Sequence, residues 1–345
     1  MSEVPPPTLR LRVDAEALTA NWRTLDRLSR PGRSGAAIKA DCYGLGIDRC
    51  LPVLRDAGAR DFFVAHWQEV APALRHIPAA QLSVLHGPLT ETEAAYARVT
   101  GVRPVINSLQ QARRWTRTGG GPCDVMIDTG MNRLGLHPSE IGDPAIAGLD
   151  VQVLMSHLAC ADESSSAMNP RQLAEFRSLL TLVPHRAASL ANSAGIGLGS
   201  DYAFDLTRPG ISLYGGVQHP ALAGAIRQVA FPEAALIAVR QLAAGDSVGY
   251  NATFTAPAPL RAGVVSLGYA DGILNCWNGG AFASQGRALP ILGKVSMDMI
   301  VVDLGAAPDL AEGDWVEVPY NLADAARQTA LGQYELLTLL GKRFG

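Results

Sequence analysis

The sequence predicts a (β/α)8 barrel followed by a mainly-β carboxyl-terminal domain. Through the first two thirds of the chain, short apolar or β-branched runs alternate with amphipathic stretches of ten or more residues. Such alternation is typical of repeated β-α units in a parallel sheet, and eight runs are what a closed barrel requires. From about residue 225, short β-rich segments separated by glycine and proline turns replace the helical patterns. This change predicts a separate, compact β domain.

The candidate strands are bounded by turn residues or by helical patterns. They are residues 35–40, 61–65, 82–86, 102–106, 123–128, 151–157, 186–192 and 204–211. Ahead of them, Asp14 is a candidate N-cap for a helix with an apolar face of Leu18, Trp22, Leu25 and Leu28. An open doubly wound sheet is the alternative architecture, but no GxGxxG opens the first helix, which disfavours it.

The predicted domain organisation has three parts. Residues 1–10 form an amino-terminal segment, residues 11–222 the barrel and residues 223–345 the β domain. A helical pattern returns only in LADAARQTALGQYELLTLLG, so we expect a helical element near the end of the β domain.

Composition excludes several classes of protein. The chain has 345 residues, of which 48% are hydrophobic and 18% charged, and a net charge of −3. It carries no basic surface signature for nucleic acid. The five cysteines are odd in number and widely spaced, which suits neither a CxxC metal site nor a disulfide framework. No leader pattern and no run of about 18 apolar residues is evident, so we expect a cytoplasmic protein without membrane or metal partners.

Reactive side chains recur at the carboxyl ends of the candidate strands, where barrel enzymes place their active sites. Lys39 closes the first strand, Arg133 follows the fifth, and His157 ends the sixth. Ser193 follows the seventh strand and Arg208 lies in the eighth. Each residue alone has an ordinary structural explanation, but five on one rim favour a site.

The loops after the last two strands of such barrels commonly bind phosphate through backbone N–H groups. Ser193 could add a hydroxyl, and Gly210 would let the backbone approach the phosphate closely, although a plain turn also explains that glycine. A lysine on the same rim suggests a Schiff base to pyridoxal phosphate. Because free lysine titrates near 10.4, Lys39 would need a desolvated, cation-rich setting, which Arg133 and Arg208 could provide.

The string KADCYGLG, residues 39–46, resembles the cofactor-lysine signature of alanine racemases, K-A-D-A-Y-G-x-G. Further strings resemble blocks of the same family in the same order: DTGMNRLG, SHLA, NSAG, RPGISLYG, VGYNATF, LGYADG and GKVSMDM. They cover nearly the whole chain, from VDAEALTANWRTL to Tyr334. One block would be weak support, whereas an ordered series is specific.

The resemblance implies racemisation of alanine by two bases with pyridoxal 5′-phosphate as cofactor. By similarity, Lys39 holds the cofactor covalently and is the base for D-alanine, and Tyr250 is the base for L-alanine. His157 would link Tyr250 to Arg208, and Arg208 would contact the pyridine nitrogen. Since guanidinium holds its proton more tightly than pyridinium, that nitrogen should stay unprotonated.

The remaining roles also come from the resemblance. The expected phosphate ligands are Tyr43, Ser193, Gly210, Ile211 and Tyr334. The expected substrate-facing residues are Arg133, Met297, Tyr269 and Asp298. Arg133 also approaches the cofactor, and Tyr269 and Asp298 narrow substrate access. The resemblance further implies a head-to-tail homodimer, in which Tyr250, Tyr269, Met297 and Asp298 reach the partner's site.

One position departs from the family pattern. Many members carry a carbamylated lysine that fixes the arginine matched by Arg133, and here Met126 stands at that position. The alternatives are a racemase of broader specificity, a decarboxylase, and a non-catalytic pyridoxal phosphate carrier. The last two are disfavoured by Arg208 and by the β domain, respectively. Supply of D-alanine for peptidoglycan is the expected role, with a catabolic role left open.

Overall fold

The computed structural model describes residues 5–341 and 343–344. The chain divides into two compact units. We call Ala15–Arg227 the barrel unit, and Met1–Asp14 together with Gln228–Gly345 the β unit. Across the described residues, no helix has both the length and the apolar character needed to cross a membrane.

The barrel unit, described without a gap, follows strand β1, Leu9–Val13, and alternates strands with helices along the chain. Its strands are β2 Arg33–Ser34, β3 Ala36–Ala37, β4 Phe62–Val64, β5 Leu82–Val84, β6 Arg103–Ile106, β7 Pro122–Met126, β8 Asp150–Met155, β9 Ala187–Ser189 and β10 Leu206–Thr207. Its helices are α1 Ala15–Leu28, α2 Lys39–Tyr43, α3 Ile47–Ala57, α4 Val70–Leu74, α5 Glu91–Thr100, α6 Leu109–Arg117, α7 Pro144–Ala147, α8 Met168–Leu179 and α9 Ser193–Gly197.

The sheet of this unit is parallel and closes on itself. Strands β3 to β9 pair in chain order, and β10 pairs in parallel with β2. Backbone hydrogen bonds join β10 to both neighbours: Arg208 N–H donates to Ala191 O at 2.8 Å, and Ala37 N–H donates to Pro209 O at 2.8 Å. Because β2 and β3 are one strand interrupted at Gly35, the ring has eight strands within Ala15–Arg227, which confirms the predicted barrel.

Burial explains why the strands were recognisable. All three residues of β4, Phe62 to Val64, are fully buried, as expected for a parallel strand covered on both faces. In α1, Leu18, Trp22 and Leu25 are buried as predicted, whereas Leu28 is exposed. The helix ends at Leu28, so the last position of the apolar face no longer lies against the barrel.

The β unit is built on an antiparallel sheet with helices at the end of the chain, as predicted. Its further strands are β11 Ala230–Leu242, β12 Ser247–Val248, β13 Phe254–Thr255, β14 Leu260–Val265, β15 Ala281–Ser284, β16 Arg287–Leu292, β17 Ile300–Asp303 and β18 Trp315–Glu317, and its helices are α10 Leu322–Thr329 and α11 Gln333–Leu339. The sheet runs β1-β11-β14-β17-β16-β15-β18, and a further β11–β18 pairing closes it.

The unit boundary differs from the sequence-based division at the amino terminus. Strand β1 pairs antiparallel with β11, with Leu9 opposite Ala234 and Val13 opposite Ala230. The start of the segment assigned to the barrel, residues 11–14, therefore lies in the β unit, because its backbone hydrogen bonds are made there. Residues 1–4 of the predicted amino-terminal segment, and residues 342 and 345 of the predicted β domain, lie outside the described residues.

Candidate active site

Lys39 lies just beyond β3, at the carboxyl end of the first barrel strand. Burial, and next the nearby Arg133 cation, lower the pKa of the Lys39 amine, while Glu69 acts in the opposite direction. Removing an ammonium group from water favours its neutral form, and a second cation adds to that effect. The amine is thus more available as a nucleophile or base than a surface lysine would be.

The chain after Lys39 forms a left-handed turn. Residues Ala40, Asp41, Cys42 and Tyr43 have φ angles of +53°, +54°, +54° and +58°. Left-handed backbone costs L-residues roughly 1–2 kcal/mol each, so these four residues form a strained segment. The turn closes through Gly44 N–H to Ala40 O at 2.8 Å, and Gly44 and Gly46 continue with positive φ.

Glu69 holds the start of this turn. Its carboxylate accepts hydrogen bonds from the backbone N–H groups of Ala40 at 2.5 Å and of Ala65 and His66, both at 2.8 Å. One partly exposed carboxylate therefore joins the segment after β3 to the segment after β4. It also lies close enough to Lys39 to influence the amine.

The left-handed turn directs Tyr43 toward the loop after β10. The Tyr43 ring is buried and lies 5.0 Å from the Tyr214 ring, whose hydroxyl donates to Ala37 O at 3.0 Å. A Cβ built on Gly210 would lie only 2.0 Å from the Tyr43 hydroxyl oxygen. Residue 210 must therefore lack a side chain for Tyr43 to occupy this place.

Two predicted phosphate-binding loops meet at Ser193, the first residue of α9. The Ser193 hydroxyl oxygen accepts hydrogen bonds from the backbone N–H of Gly210 at 2.9 Å and of Ser212 at 3.3 Å. Ile211, between them, is fully buried. The Ser212 hydroxyl is also buried and has no hydrogen-bond partner among the described residues. Several donors thus converge on one small region of the rim.

Arg208 is a buried cation held by neutral groups. Its guanidinium donates to the Ser189 hydroxyl and to the Ser156 carbonyl, both at 2.5 Å, and within the described residues it forms no ion pair. Burial lowers the pKa of Arg208 to about 10, an effect that Asp124 opposes. The side chain stays charged at neutral pH.

His157 lies among the same cations. Burial, then the charges of Arg208, Arg133 and Lys39, lower the pKa of the His157 imidazole to about 3. The ring is therefore neutral at physiological pH and can both donate and accept a hydrogen bond. The structure thus brings together Lys39, Arg133, His157 and Arg208, which the sequence assigned to the carboxyl ends of different strands.

Met126 occupies the end of β7 and is buried. Its thioether can neither be carbamylated nor carry a negative charge. Arg133 is exposed, and across the parts of the chain that the structure describes no hydrogen bond or ion pair to its guanidinium is found. Within the described residues, Arg133 therefore has no protein anion to orient it.

The predicted residues of the β unit lie on turns and helix ends. Tyr250 begins a short 3-10 helix, Tyr250–Ala252, between β12 and β13, and is 71% exposed. That hairpin packs through Val248 and Phe254 onto Leu292. Tyr269, Met297 and Tyr334 are also exposed.

Comparison with known proteins decides the family. Residues 13–218 match the model of the alanine racemase N-terminal domain, and residues 229–345 match that of the alanine racemase C-terminal domain. The chain belongs to the alanine racemase family.

Individual alanine racemases match over nearly their full length. An alanine racemase of Methylobacterium nodulans is 39% identical over 351 residues, covering 97% of this chain and 94% of that protein. A catabolic alanine racemase of Agrobacterium fabrum is 40% identical over 353 residues, covering 97% and 90%.

Solved alanine racemase structures share the fold of this chain. The Bartonella henselae enzyme, with covalently bound pyridoxal phosphate, has a TM-score of 0.89 and 35% identity, covering 98% of this chain and 99% of that one. The biosynthetic enzyme of Pseudomonas aeruginosa has a TM-score of 0.86 and 32% identity, covering 98% of both chains.

Several residues that build the site were not recognised from the alanine racemase motifs. Glu69 holds the turn after Lys39, and Ser189 accepts a hydrogen bond from Arg208. A lone glutamate or serine carries no sequence signal for such a role. Tyr214 lies within RPGISLYG, so its position in a matched block was a signal that could have been used.

Proposed function

We propose that this chain is a pyridoxal 5′-phosphate-dependent alanine racemase that interconverts L- and D-alanine with Lys39 and Tyr250 as bases. The observation that carries the proposal is the setting of Lys39. Its pKa is lowered at the carboxyl end of a barrel strand, and Arg133 and Arg208 are cations of the same rim. Covalent capture of this cofactor requires an amine that loses its proton at a lower pH than a surface lysine does. It also requires nearby cations that attract the anionic ligand.

The residues on the rim suit the cofactor. Gly210 and Ser212 point their N–H groups at one oxygen, that of Ser193, and the Ser212 hydroxyl next to them lacks a partner among the described residues. A phosphate has several strong acceptor oxygens and would satisfy such donors. We assign the phosphate to Tyr43, Ser193, Gly210, Ile211 and Tyr334, as the resemblance implies.

Pyridoxal phosphate, when bound, acidifies the Cα–H of an amino acid by withdrawing electron density. The protein supplies the proton transfers. In the L-to-D direction, Tyr250 Oη accepts the proton of L-alanine and Lys39 Nζ returns a proton to the opposite face. The reverse direction exchanges these roles. In either direction alanine loses one proton and gains one, and the base that accepted a proton must release it, and the other base regain one, through exchange with solvent before the next turnover in that direction.

The neighbouring side chains support these transfers. A phenol titrates near 10, so Tyr250 needs a partner that lowers the energy of its phenolate, and we assign this to the neutral His157 and charged Arg208. Arg208 keeps its proton and leaves the pyridine nitrogen unprotonated, which restrains electron withdrawal and hence side reactions. Arg133 and the Met297 N–H bind the substrate carboxylate.

We further propose that the active form is a homodimer with shared sites. Tyr250 is 71% exposed and Met297 52% exposed. In open water, Tyr250 would be a poor base and the Met297 N–H a weak ligand for a carboxylate. Covering of both residues by a partner's barrel would account for their exposure in one chain. Tyr269 and Asp298 would then narrow access to the partner's site.

Supply of D-alanine to peptidoglycan in the cytoplasm is the proposed role. The relatives include one named catabolic, at 40% identity, and a solved enzyme named biosynthetic, at 32%, so similarity supports both roles. Deletion of the gene decides between them, since a biosynthetic enzyme makes growth depend on added D-alanine.

The activity is tested by chiral analysis of alanine after incubation of the holoenzyme with L-alanine. We expect D-alanine to accumulate until the two enantiomers are equal. Tyr250→Phe should reduce the rate by at least about 100-fold, within the usual contribution of a general base, while Tyr96→Phe, an exposed tyrosine on α5, should not. Absence of D-alanine with wild type would contradict the proposal.

Two further measurements separate the alternatives. The holoenzyme should show a cofactor absorbance band that Lys39→Ala removes, and a band retained in that variant would exclude covalent capture by Lys39. Comparable rates with alanine, serine and lysine would favour the broad-specificity racemase. Release of carbon dioxide instead of enantiomer would indicate a decarboxylase, and cofactor binding without turnover a carrier.

A further inference from the structure

Arg343, near the end of the described chain, joins two aspartates of the β unit. Its Nε and Nη2 atoms donate to the two carboxylate oxygens of Asp271 at 2.7 and 2.9 Å, and its Nη1 donates to Asp298 at 2.7 Å. Asp271 is only 1% exposed, whereas the Asp298 side chain is 51% exposed. We call Asp271, Asp298 and Arg343 the carboxyl-terminal clamp.

The two aspartates of the clamp lie on turns that carry the proposed substrate-facing side chains. Asp271 ends the 3-10 helix Tyr269–Asp271, and Asp298 directly follows Met297. The turns touch through their backbones, since Tyr269 N–H donates to Ser296 O at 3.0 Å and Ala270 N–H to Met297 O at 3.1 Å. The position of Tyr269 therefore depends on the position of Met297.

Glycine at 268 permits this close approach. A Cβ built on Gly268 would lie 2.3 Å from the carbonyl oxygens of both Ser296 and Met297. No residue with a side chain fits there without separating the two turns. Their spacing is thus fixed tightly at one end by backbone, and at the other end by the side chains of the clamp.

The carboxyl-terminal segment is tied to the same place. Gly341 N–H donates to Asp271 O at 3.1 Å, and a Cβ on Gly272 would lie 2.3 Å from Leu339 O. Helix α11, which carries Tyr334, ends at Leu339. The contacts of Leu339 and Gly341 therefore hold the described end of the chain beside the turn that contains Asp271.

Charge and geometry make arginine necessary in this position. The buried Asp271 carboxylate receives both fork donors of Arg343 and the N–H of Gly268 at 3.0 Å, so its acceptors are well satisfied. Lysine presents a point charge and cannot hold one carboxylate bidentately while binding a second. Asp298 is half exposed, and an isolated exposed pair would contribute little. Its orientation therefore depends on the anchoring of Arg343 by Asp271.

We propose that Arg343 is a positioning residue that sets the width of substrate access by fixing Asp298 and the Tyr269 turn, and thereby sets the preference for alanine over larger amino acids. The proposal rests on the proposed racemase function. Without Arg343, the Asp298 side chain is free to rotate. The turn that contains Tyr269 and Asp271 then loses its side-chain link to Asp298. A wider opening admits an extra hydroxyl or methylene group.

The test compares steady-state racemisation of L-alanine and L-serine by Arg343→Met and Arg343→Lys. Arg343→Met keeps much of the side-chain bulk but removes the guanidinium group and its hydrogen bonds to both aspartates. We expect it to lower the ratio of kcat/KM for alanine to kcat/KM for serine by about tenfold, within the range by which one small group is discriminated. The change should fall mainly on KM, and Arg343→Lys should restore only part of the ratio.

Arg287→Met is the matched control. Arg287 also forms a bidentate ion pair within the β unit, with Asp309, but neither residue belongs to the turns of the clamp. We expect its alanine-to-serine ratio to equal that of wild type. Thermal unfolding of all variants shows whether a change in ratio accompanies loss of the fold.

Asp298→Asn keeps the proposal testable if Arg343→Met does not fold. It leaves the buried Asp271–Arg343 pair intact and weakens only the half-exposed contact, so the fold should be retained and the ratio should still fall by about threefold. An unchanged ratio in folded Arg343→Met, or in Asp298→Asn, would overturn the proposal. If wild type racemises no amino acid, the proposed function itself fails, which is a different result.

Discussion

The contact between Gly210 and Tyr43 gives a quantitative prediction about cofactor binding. In Gly210→Ala, the new Cβ would lie 2.0 Å from the Tyr43 hydroxyl oxygen and 2.7 Å from its ring carbon Cζ. The hydroxyl must retreat by about 1.4 Å to reach an ordinary contact distance of 3.4 Å. The ring cannot simply swing away, because Tyr43 is buried and lies against Tyr214.

The expected consequence is weaker binding of pyridoxal phosphate. A hydrogen bond to a charged group contributes about 1.5–3 kcal/mol, so loss of the Tyr43 contact should raise the Kd for the cofactor roughly 10- to 150-fold. Absorbance titration of cofactor-free protein measures this directly. Tyr43→Phe alone should weaken binding by a similar factor, and the double variant should lose less than the sum of the two single effects.

Gly148→Ala is the control for this prediction. Gly148 lies in the same unit, has a φ of −95°, and an added Cβ there meets nothing within 4 Å. It should bind the cofactor as wild type does. Equally tight cofactor binding by Gly210→Ala and Gly148→Ala would show that the Tyr43 hydroxyl does not contribute to holding the cofactor.

Two further predictions concern residues of the rim. A His157 pKa of about 3 means that unfolded protein binds an extra proton between pH 6.5 and 3, so folding stability falls as pH decreases through that window. The ring keeps partial solvent contact, so we expect His157→Gln to reduce the loss of stability between pH 7 and 5 by about 1 kcal/mol in urea titrations; an equal loss in variant and wild type would contradict the assignment. Met126→Lys should lower KM for alanine when bicarbonate is present, because a carbamylated lysine would supply the anion that Arg133 lacks, whereas Met126→Leu should not. A KM for Met126→Lys that does not respond to bicarbonate would show that Arg133 is oriented without such an anion.

The barrel was predictable because its strands carry their signal locally. Runs such as Phe62 to Val64 are buried on both faces and therefore read as continuous apolar segments, whatever the rest of the fold. The placement of β1 was not predictable in the same way. Its alternation LRLRV indicates a half-buried strand, but only the pairing of Leu9 with Ala234, more than 200 residues later, assigns it to the β unit.

Some candidate site residues are likewise predictable from local sequence, whereas others are found only from contacts in the structure. Lys39, Tyr43 and Arg208 lie in motifs that resemble those of the family, so the sequence predicts them as site residues. Glu69 acts through backbone N–H groups of other segments, and no sequence spacing encodes that contact. Arg343 lies outside every matched motif, and its two aspartate partners are 45 and 72 residues away in sequence.

Mixing two complementary variants tests whether Lys39 of one chain and Tyr250 of another form one active site. Lys39→Ala and Tyr250→Phe proteins are each expected to be inactive alone. Unfolding and refolding them together at equal amounts should restore about a quarter of wild-type activity per chain, because half of the dimers are mixed and each mixed dimer has one complete site. No recovery of racemisation, with mixed dimers shown to form, would contradict the two-base shared site.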